Sequence, residues 1–191
     1  MTDLMRYAAQ LEGAAGRALP PVDDWAPDYS GELDLVIQSD GVWVHEGEPI
    51  RRASLVRLFA TILRREGDRH FLVTPMEKLG VRVEDAPFLA IRLDVEARGE
   101  AGQRLRFTTN LGDQTVAGPR HPLEFRAQPT DDTPAPYIRV RGGLEAKVAR
   151  APYFDLVDVG EIRTHDGRKT FGVVSDSVFF PMSDEAEAIS Q

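Results

Sequence analysis

LGVRVEDAPFLAI (79–91) and LEAKVARAPYFDL (144–156) align without a gap, 65 residues apart. Leu79/Leu144, Val83/Val148, Ala86/Ala151 and Pro87/Pro152 are identical, and Arg82/Lys147, Phe88/Tyr153 and Ile91/Leu156 are conservative pairs. A weaker match sets DGVWVHEGEPI (40–50) against DQTVAGPRHPL (113–123), 73 residues apart. The two offsets differ where one copy carries an amphipathic helix and the other a proline-rich stretch. A repeat of this length is a duplicated module rather than a solenoid unit. In both copies Ala-Pro follows an alternating strand, and proline cannot donate to a central ladder, so each copy is expected to turn there. The fold class that follows is α+β and mostly β: two duplicated antiparallel β-rich modules, one main helix in the first, and a helix at the N-terminus.

Outward from this pair, the spacing predicts a helix over 3–16, with Leu4, Ala8, Leu11 and Ala15 on one face, followed by a proline-rich connector to residue 30. Residues 32–38 and 42–45 read as strands around the turn Ser39-Asp40-Gly41. A helix is predicted over 53–66, its apolar stripe made of Leu55, Leu58, Phe59, Ile62 and Leu63, with Gly67 as its stop. From His70 the period changes to two: HFLVT, GVRVE, FLAIRLDVEA and RLRFTTN are successive strands, with RGEAGQ (98–103) as a hairpin loop. QPTDDTPAP (128–136) reads as a linker, which divides the chain into 31–128 and 129–181, with an acidic tail over 182–191. The second module then reads as strands throughout: YIRVR, the Gly142-Gly143 turn, LEAKVAR, YFDLVDV, KTFGVVS and VFF.

The chain has 191 residues and no cysteine, which excludes disulfides, thiolate catalysis and thiolate metal sites. No stretch approaches the roughly 18 apolar residues of a membrane span. The early Asp3 argues against a secretory leader, so the expected location is the cytoplasm. The net charge of −8 is unevenly spread: residues 51–150 carry 18 basic and 13 acidic side chains, and the segments on either side are acidic. The plain reading of this imbalance is solvated surface charge, and the other is a mildly basic surface between two acidic ends.

Catalytic motifs are absent. The four histidines (His45, His70, His121, His165) lack metal-ligand spacing, and His165-Asp166-Gly167 reads as turn chemistry. There is no nucleophile elbow and no glycine-rich phosphate loop, and nothing demands a cofactor or a metal. Two polar clusters are the binding candidates. One is TPMEK with Thr74 and Lys78; the other is YIRVRGGLEAK with Tyr137, Arg139, Arg141 and Lys147, whose cations suit a carboxylate or phosphate. Since pockets favour the meeting of duplicated modules, a site there is expected to draw an aromatic from Trp43, Tyr137 or Tyr153 and an arginine from Arg52, Arg139 or Arg141.

SDGVWVHEGEPIRRASLVRLFATIL, HFLVTPMEKLGVRVEDAPF, YIRVRGGLEAKVARAPYFDLV and GVVSDSVFFPM occur in this order over most of residues 30–181. In these stretches the chain resembles the bacterial family known as domain of unknown function 1285. The resemblance implies a duplicated β core whose C-terminal half is superficially similar to pleckstrin-homology folds. It also implies a non-enzymatic role in signalling, with a ligand groove where the halves meet. The expected function is a binding or scaffold module for a peptide, a protein segment or a small anionic ligand. Two other readings stand beside it: a small metal-independent hydrolase pairing His45 with Asp40, and nucleic-acid binding through the basic middle, against which the sequence pI of about 5.0 weighs.

Overall fold

The computed structural model describes residues 19–128 and 131–184. The expected N-terminal helix and the end of the acidic tail lie outside them. The chain divides into two compact units, one running to Pro87 and including the turn Gly142–Leu144, the other built from Phe88–Arg141 and Glu145 onward.

The first unit holds a six-stranded sheet. After a single 3-10 turn at Val22–Asp24 come β1 (Tyr29–Ile37), β2 (Trp43–His45) and β3 (Glu48–Pro49). Helix α1 (Ala53–Thr61) follows, then β4 (Leu63–Glu66), β5 (Arg69–Val73) and β6 (Lys78–Val83). The strand order is β3-β2-β1-β6-β5-β4. Neighbours are antiparallel except at the centre, where β1 and β6 run parallel, with Ile37 opposite Val83. α1 buries Val56, Phe59 and Ala60, and Ile62 and Leu63 beyond it are buried too, while Leu55 and Leu58 are half-buried.

The helix expected over 53–66 therefore stops at Thr61. β-branched Thr61 and Ile62 crowd the preceding turn, and the Thr61 hydroxyl donates back to the Leu58 carbonyl at 2.6 Å. Leu63 to Glu66 then run as a strand, pairing Leu63 with Leu72 and Glu66 with Arg69. Gly67, at φ +60°, serves the two-residue hairpin turn between β4 and β5 rather than a helix end.

The second unit holds a second six-stranded sheet and a smaller one. Its strands are β7 (Phe88–Glu96), β8 (Arg104–Thr109), β9 (Gln114–Val116), β10 (Leu123–Gln128), β11 (Asp131–Arg141) and β12 (Leu144–Val148). Helix α2 (Arg150–Asp158) and the three-stranded sheet β13 (Glu161–His165), β14 (Arg168–Ser175) and β15 (Val178–Asp184) complete it. The order β10-β11-β12-β7-β8-β9 repeats the first sheet's connectivity strand for strand, and again the first and last strands, β7 and β12, pair in parallel at the centre. The duplicated, mostly β architecture is thus present, with mixed sheets in place of wholly antiparallel ones.

Leu79–Val83 and Leu144–Val148, the first part of the sequence match, are equivalent: each lies in the closing strand of its sheet. The matched stretches diverge after that. Ala86-Pro87 leads into β7, but Ala151-Pro152 lies in the first turn of α2, where a missing proline N–H leaves no helical bond unmade. YFDLVDV is consequently helical, with Pro152 and Leu156 buried one turn apart, and not the expected strand. The weaker match is displaced by one strand, since β2 corresponds in connectivity to β8 and the matched segment 113–123 begins just before β9. The repeats run over 29–83 and 88–148, so the division falls at Pro87, and the proline-rich stretch that suggested a boundary enters β11.

Candidate functional site

The residues marked out by the sequence fall into both units. Trp43 is a core side chain of the first unit, 1% exposed. Thr74 is buried, and its hydroxyl accepts from the Met76 and Glu77 amides (3.3 and 3.1 Å), stabilising the β5–β6 turn. Lys78 bonds Glu66 at 3.1 Å and stands 5.2 Å from the Phe71 ring. Arg52 precedes α1 and donates to Ser54 Oγ at 3.1 Å.

In the second unit Tyr137 is buried, with Arg126 stacked 4.7 Å from its ring centre and Lys147 at 5.9 Å. Arg126 in turn makes a forked bond to the Glu145 carboxylate (3.0 and 2.5 Å). That bonding, opposed by burial, drives the Arg126 pKa well above its ordinary value. Arg141 is paired with Asp113 and lies 5.0 Å from the Phe88 ring. Arg139 is exposed, and Tyr153 packs edge-on against Phe154. These nine do not form one constellation within either unit. Arg141 and Lys147, like Lys78, are engaged with the fold around them.

A different group converges in the second unit, at the end of the sheet formed by β8 and β9. β8 alternates strictly: Leu105 and Phe107 are fully buried, so Arg104 and Arg106 stand on the opposite face. Gln114 of β9 lies on that face, opposite Thr108. After β9 the chain reverses through Gly118–His121, closed by reciprocal backbone bonds of 3.0 and 3.1 Å that place Pro119 and Arg120 at the tip. The β14–β15 hairpin turns through Asp176 and Ser177, both left-handed at φ +49° and +65°. The Asp176 amide donates to the Gln103 carbonyl at 3.0 Å.

Behind this turn Ser175, wholly buried, accepts from the Leu105 amide at 2.9 Å and donates to the Ala117 carbonyl at 2.6 Å, joining β14 to β8 and to the residue after β9. The result is a cleft of about 440 Å³ with Arg104, Arg106, Arg120, His121 and Asp176 in its walls.

Its electrostatics are partly committed. Glu96 accepts one hydrogen bond from Arg106 Nε at 2.8 Å, pairs with its Nη2 at 2.7 Å and lies 3.9 Å from Arg104, so one carboxylate is shared by two guanidiniums. Arg106 spends its Nε and Nη2 groups on Glu96, leaving Nη1 for other partners. Arg120 is exposed and makes no hydrogen bond or ion pair with any described residue. His121 Nδ1 is 3.1 Å from the Arg139 carbonyl, which can only accept, so the ring proton sits on Nδ1. A second hollow of about 370 Å³, near Glu100, Gln103 and Ser177, carries one cation, Arg163, and that is already paired with Glu161.

None of the residues in the first cleft was marked out by the sequence. The alternation in RLRF carries a signal for Arg104 and Arg106, but Arg120 and Asp176 join them only through turns far apart in the chain. The hydrolase pairing is not formed: His45 Nδ1 lies 2.7 Å from the Asp34 carbonyl, and Asp40 accepts from the Val42 amide at 3.0 Å. Among the described residues no three His, Asp or Glu side chains are grouped to hold a metal ion.

The duplicated six-stranded sheet makes this a two-unit, mostly β protein. Residues 20–86 match the N-terminal domain of a domain of unknown function (DUF1285), and residues 87–182 match the C-terminal domain of the same family. The crystal structure of a DUF1285 family protein from Silicibacter pomeroyi DSS-3 is 42% identical, covers 97% of each chain and superposes with a TM-score of 0.89. That of a DUF1285 family protein from Shewanella baltica OS155 is 31% identical over 66% of this chain and 92% of its own, with a TM-score of 0.50. No curated protein matches the chain. The chain belongs to the DUF1285 family.

Proposed function

We propose that the protein is a non-enzymatic binding module whose second unit holds a small anionic ligand in the cleft between β8, the Gly118–His121 turn and the β14–β15 turn. The observation that carries this reading is that three arginines, Arg104, Arg106 and Arg120, line a single space of about 440 Å³. That volume lies within the usual range for a small-molecule site. Guanidinium is the group best suited to grip phosphate or carboxylate, because its planar fork gives two parallel donors. The walls are held by backbone bonds and by Ser175, so little ordering is required on binding. The separation of His45 from Asp40 supports a binding role over hydrolysis. The cysteine-free composition favours a cytoplasmic location.

Titration calorimetry of the full chain with pyrophosphate at low salt tests the proposal. One site is expected, weakened at least about 10-fold by Arg106→Gln combined with Arg120→Gln, and weakened further as salt rises. Equal binding by wild type and the double variant, or no binding by either, overturns the site. Release of orthophosphate, followed by phosphorus NMR, overturns the non-enzymatic reading.

A further inference from the structure

The same cleft contains a carboxylate whose position narrows the ligand. Asp176 is exposed at the tip of the β14–β15 turn, held there by its amide bond to Gln103. Its side chain leans on the opposite wall: a Cβ added to Gly118 would stand 2.9 Å from Asp176 Oδ2 and 3.1 Å from its Cβ. Arg104, Arg106 and Arg120 line the same space, yet the Asp176 carboxylate forms no ion pair or hydrogen bond with any described residue. Arg104 and Arg106 are drawn instead to Glu96, on the strand beside them. The cleft thus presents separated charges of both signs, cations from β8 and the Gly118–His121 turn, and an uncompensated anion from the hairpin tip.

A purely anionic ligand would fill the guanidinium end but meet repulsion at Asp176. A ligand carrying a cation a few bonds from its anion would satisfy both ends, and a charge-assisted bond to a carboxylate is worth about twice a neutral one. We infer that the cleft takes a zwitterionic small molecule, with a phosphate held by Arg104, Arg106 and Arg120 and an ammonium group held by Asp176. This rests on the anion-binding reading of the same cleft and adds the second charge.

The test compares phosphorylethanolamine with propyl phosphate, which has the same length and phosphate but a methyl group where the ammonium stands. Calorimetry of the full chain is expected to show phosphorylethanolamine binding about 10-fold more tightly. Asp176→Asn, which keeps a residue type that tolerates the left-handed backbone, should erase that preference while leaving propyl phosphate binding equal or stronger. Gly118→Ala, by pushing the Asp176 side chain aside, should reduce the preference in the same direction. Equal affinity for the two probes in the wild type overturns the zwitterion and leaves the anion site standing, provided pyrophosphate binds. A preference that survives Asp176→Asn overturns the role of Asp176. Failure of all three probes overturns both readings together.

Discussion

Ser175→Ala removes a single oxygen, and the structure states what that oxygen does. It accepts the Leu105 amide at 2.9 Å and donates to the Ala117 carbonyl at 2.6 Å, at a position with no solvent exposure. In the alanine variant the Leu105 N–H has no acceptor and no route to water, which costs about 1–3 kcal/mol. The lost bond to Ala117 adds about 1 kcal/mol, partly spared because a carbonyl has a second lone pair and the Ala117 amide still bonds Leu105 O. Together these give a destabilisation of about 2–4 kcal/mol, a large share of the 5–15 kcal/mol typical of a folded protein. Urea unfolding followed by circular dichroism measures it as a lowered midpoint at unchanged slope. Native-state amide exchange should show the Leu105 amide losing protection. Ser177→Ala, two residues along and exposed, is the control and should stay within about 0.5 kcal/mol of wild type. The reasoning is refuted if Ser175→Ala matches that control and the Leu105 amide keeps its protection.

Two other predictions concern the first unit. Phe59→Ala, at a fully buried helix position, should cost about 3–5 kcal/mol in urea unfolding, whereas half-buried Leu58→Ala should cost about 1 kcal/mol; equal costs would contradict the placement of the α1 stripe. Burial pulls the Glu66 carboxyl up, but hydrogen bonds from Lys78 and Arg64 outweigh it and hold the group below its ordinary value of 4.5. Glu66 therefore contributes stability that is present above that value and lost as pH falls through the lower folded one. Glu66→Gln should be less stable than wild type at pH 7 and converge on it as pH falls through the lowered folded value, and a difference constant with pH would refute the linkage. The effect should be modest, because Glu66 is 39% exposed and its pairing is screened by water.

What could be read from the sequence was what is local. The Gly142-Gly143 and His165-Asp166-Gly167 turns and the strand through Phe88–Glu96 are encoded in adjacent residues, and the structure has them where they were expected. The strand's expected alternation fails, however: Phe88 and Ala90 are buried and Ile91 is exposed, next to a register shift between Ala90 and Arg92. The duplication was visible for a related reason: Leu79–Val83 and Leu144–Val148 occupy equivalent central strands, where burial restricts both sequences alike. The misreadings occurred where one local pattern suits two structures. Tyr153 to Val157 is rich enough in aromatic and branched residues for a strand, and the placement of Pro152 in a first helical turn is what distinguishes α2. Leu63 continues the apolar stripe of α1 in sequence, but its backbone bonds go to β5. The parallel pairing of first and last strands in each sheet joins residues far apart in the chain, which no short-range signal reports.

The candidate site was illegible for a further reason, and it bears on how this fold carries function. Arg139 and Arg141 drew attention because arginines alternating beside an aromatic look like a ligand face. The fold satisfies Arg141 with Asp113 and surrounds Tyr137 with Arg126 and Lys147, so local chemistry there serves the sheet. Arg104 and Arg106 show the same alternation in sequence, but they share a single carboxylate. What separates the two pairs is how fully the surrounding charge is balanced, and that depends on Glu96, Asp113 and Asp176, contributed by three different parts of the chain. β7, β8 and β9 have counterparts in β1, β2 and β3, whereas the β14–β15 turn that closes the cleft belongs to a sheet without a counterpart in the first unit's strand order. The Arg104–Arg106 cleft is therefore a property of the second unit alone, formed where an added sheet meets the duplicated one.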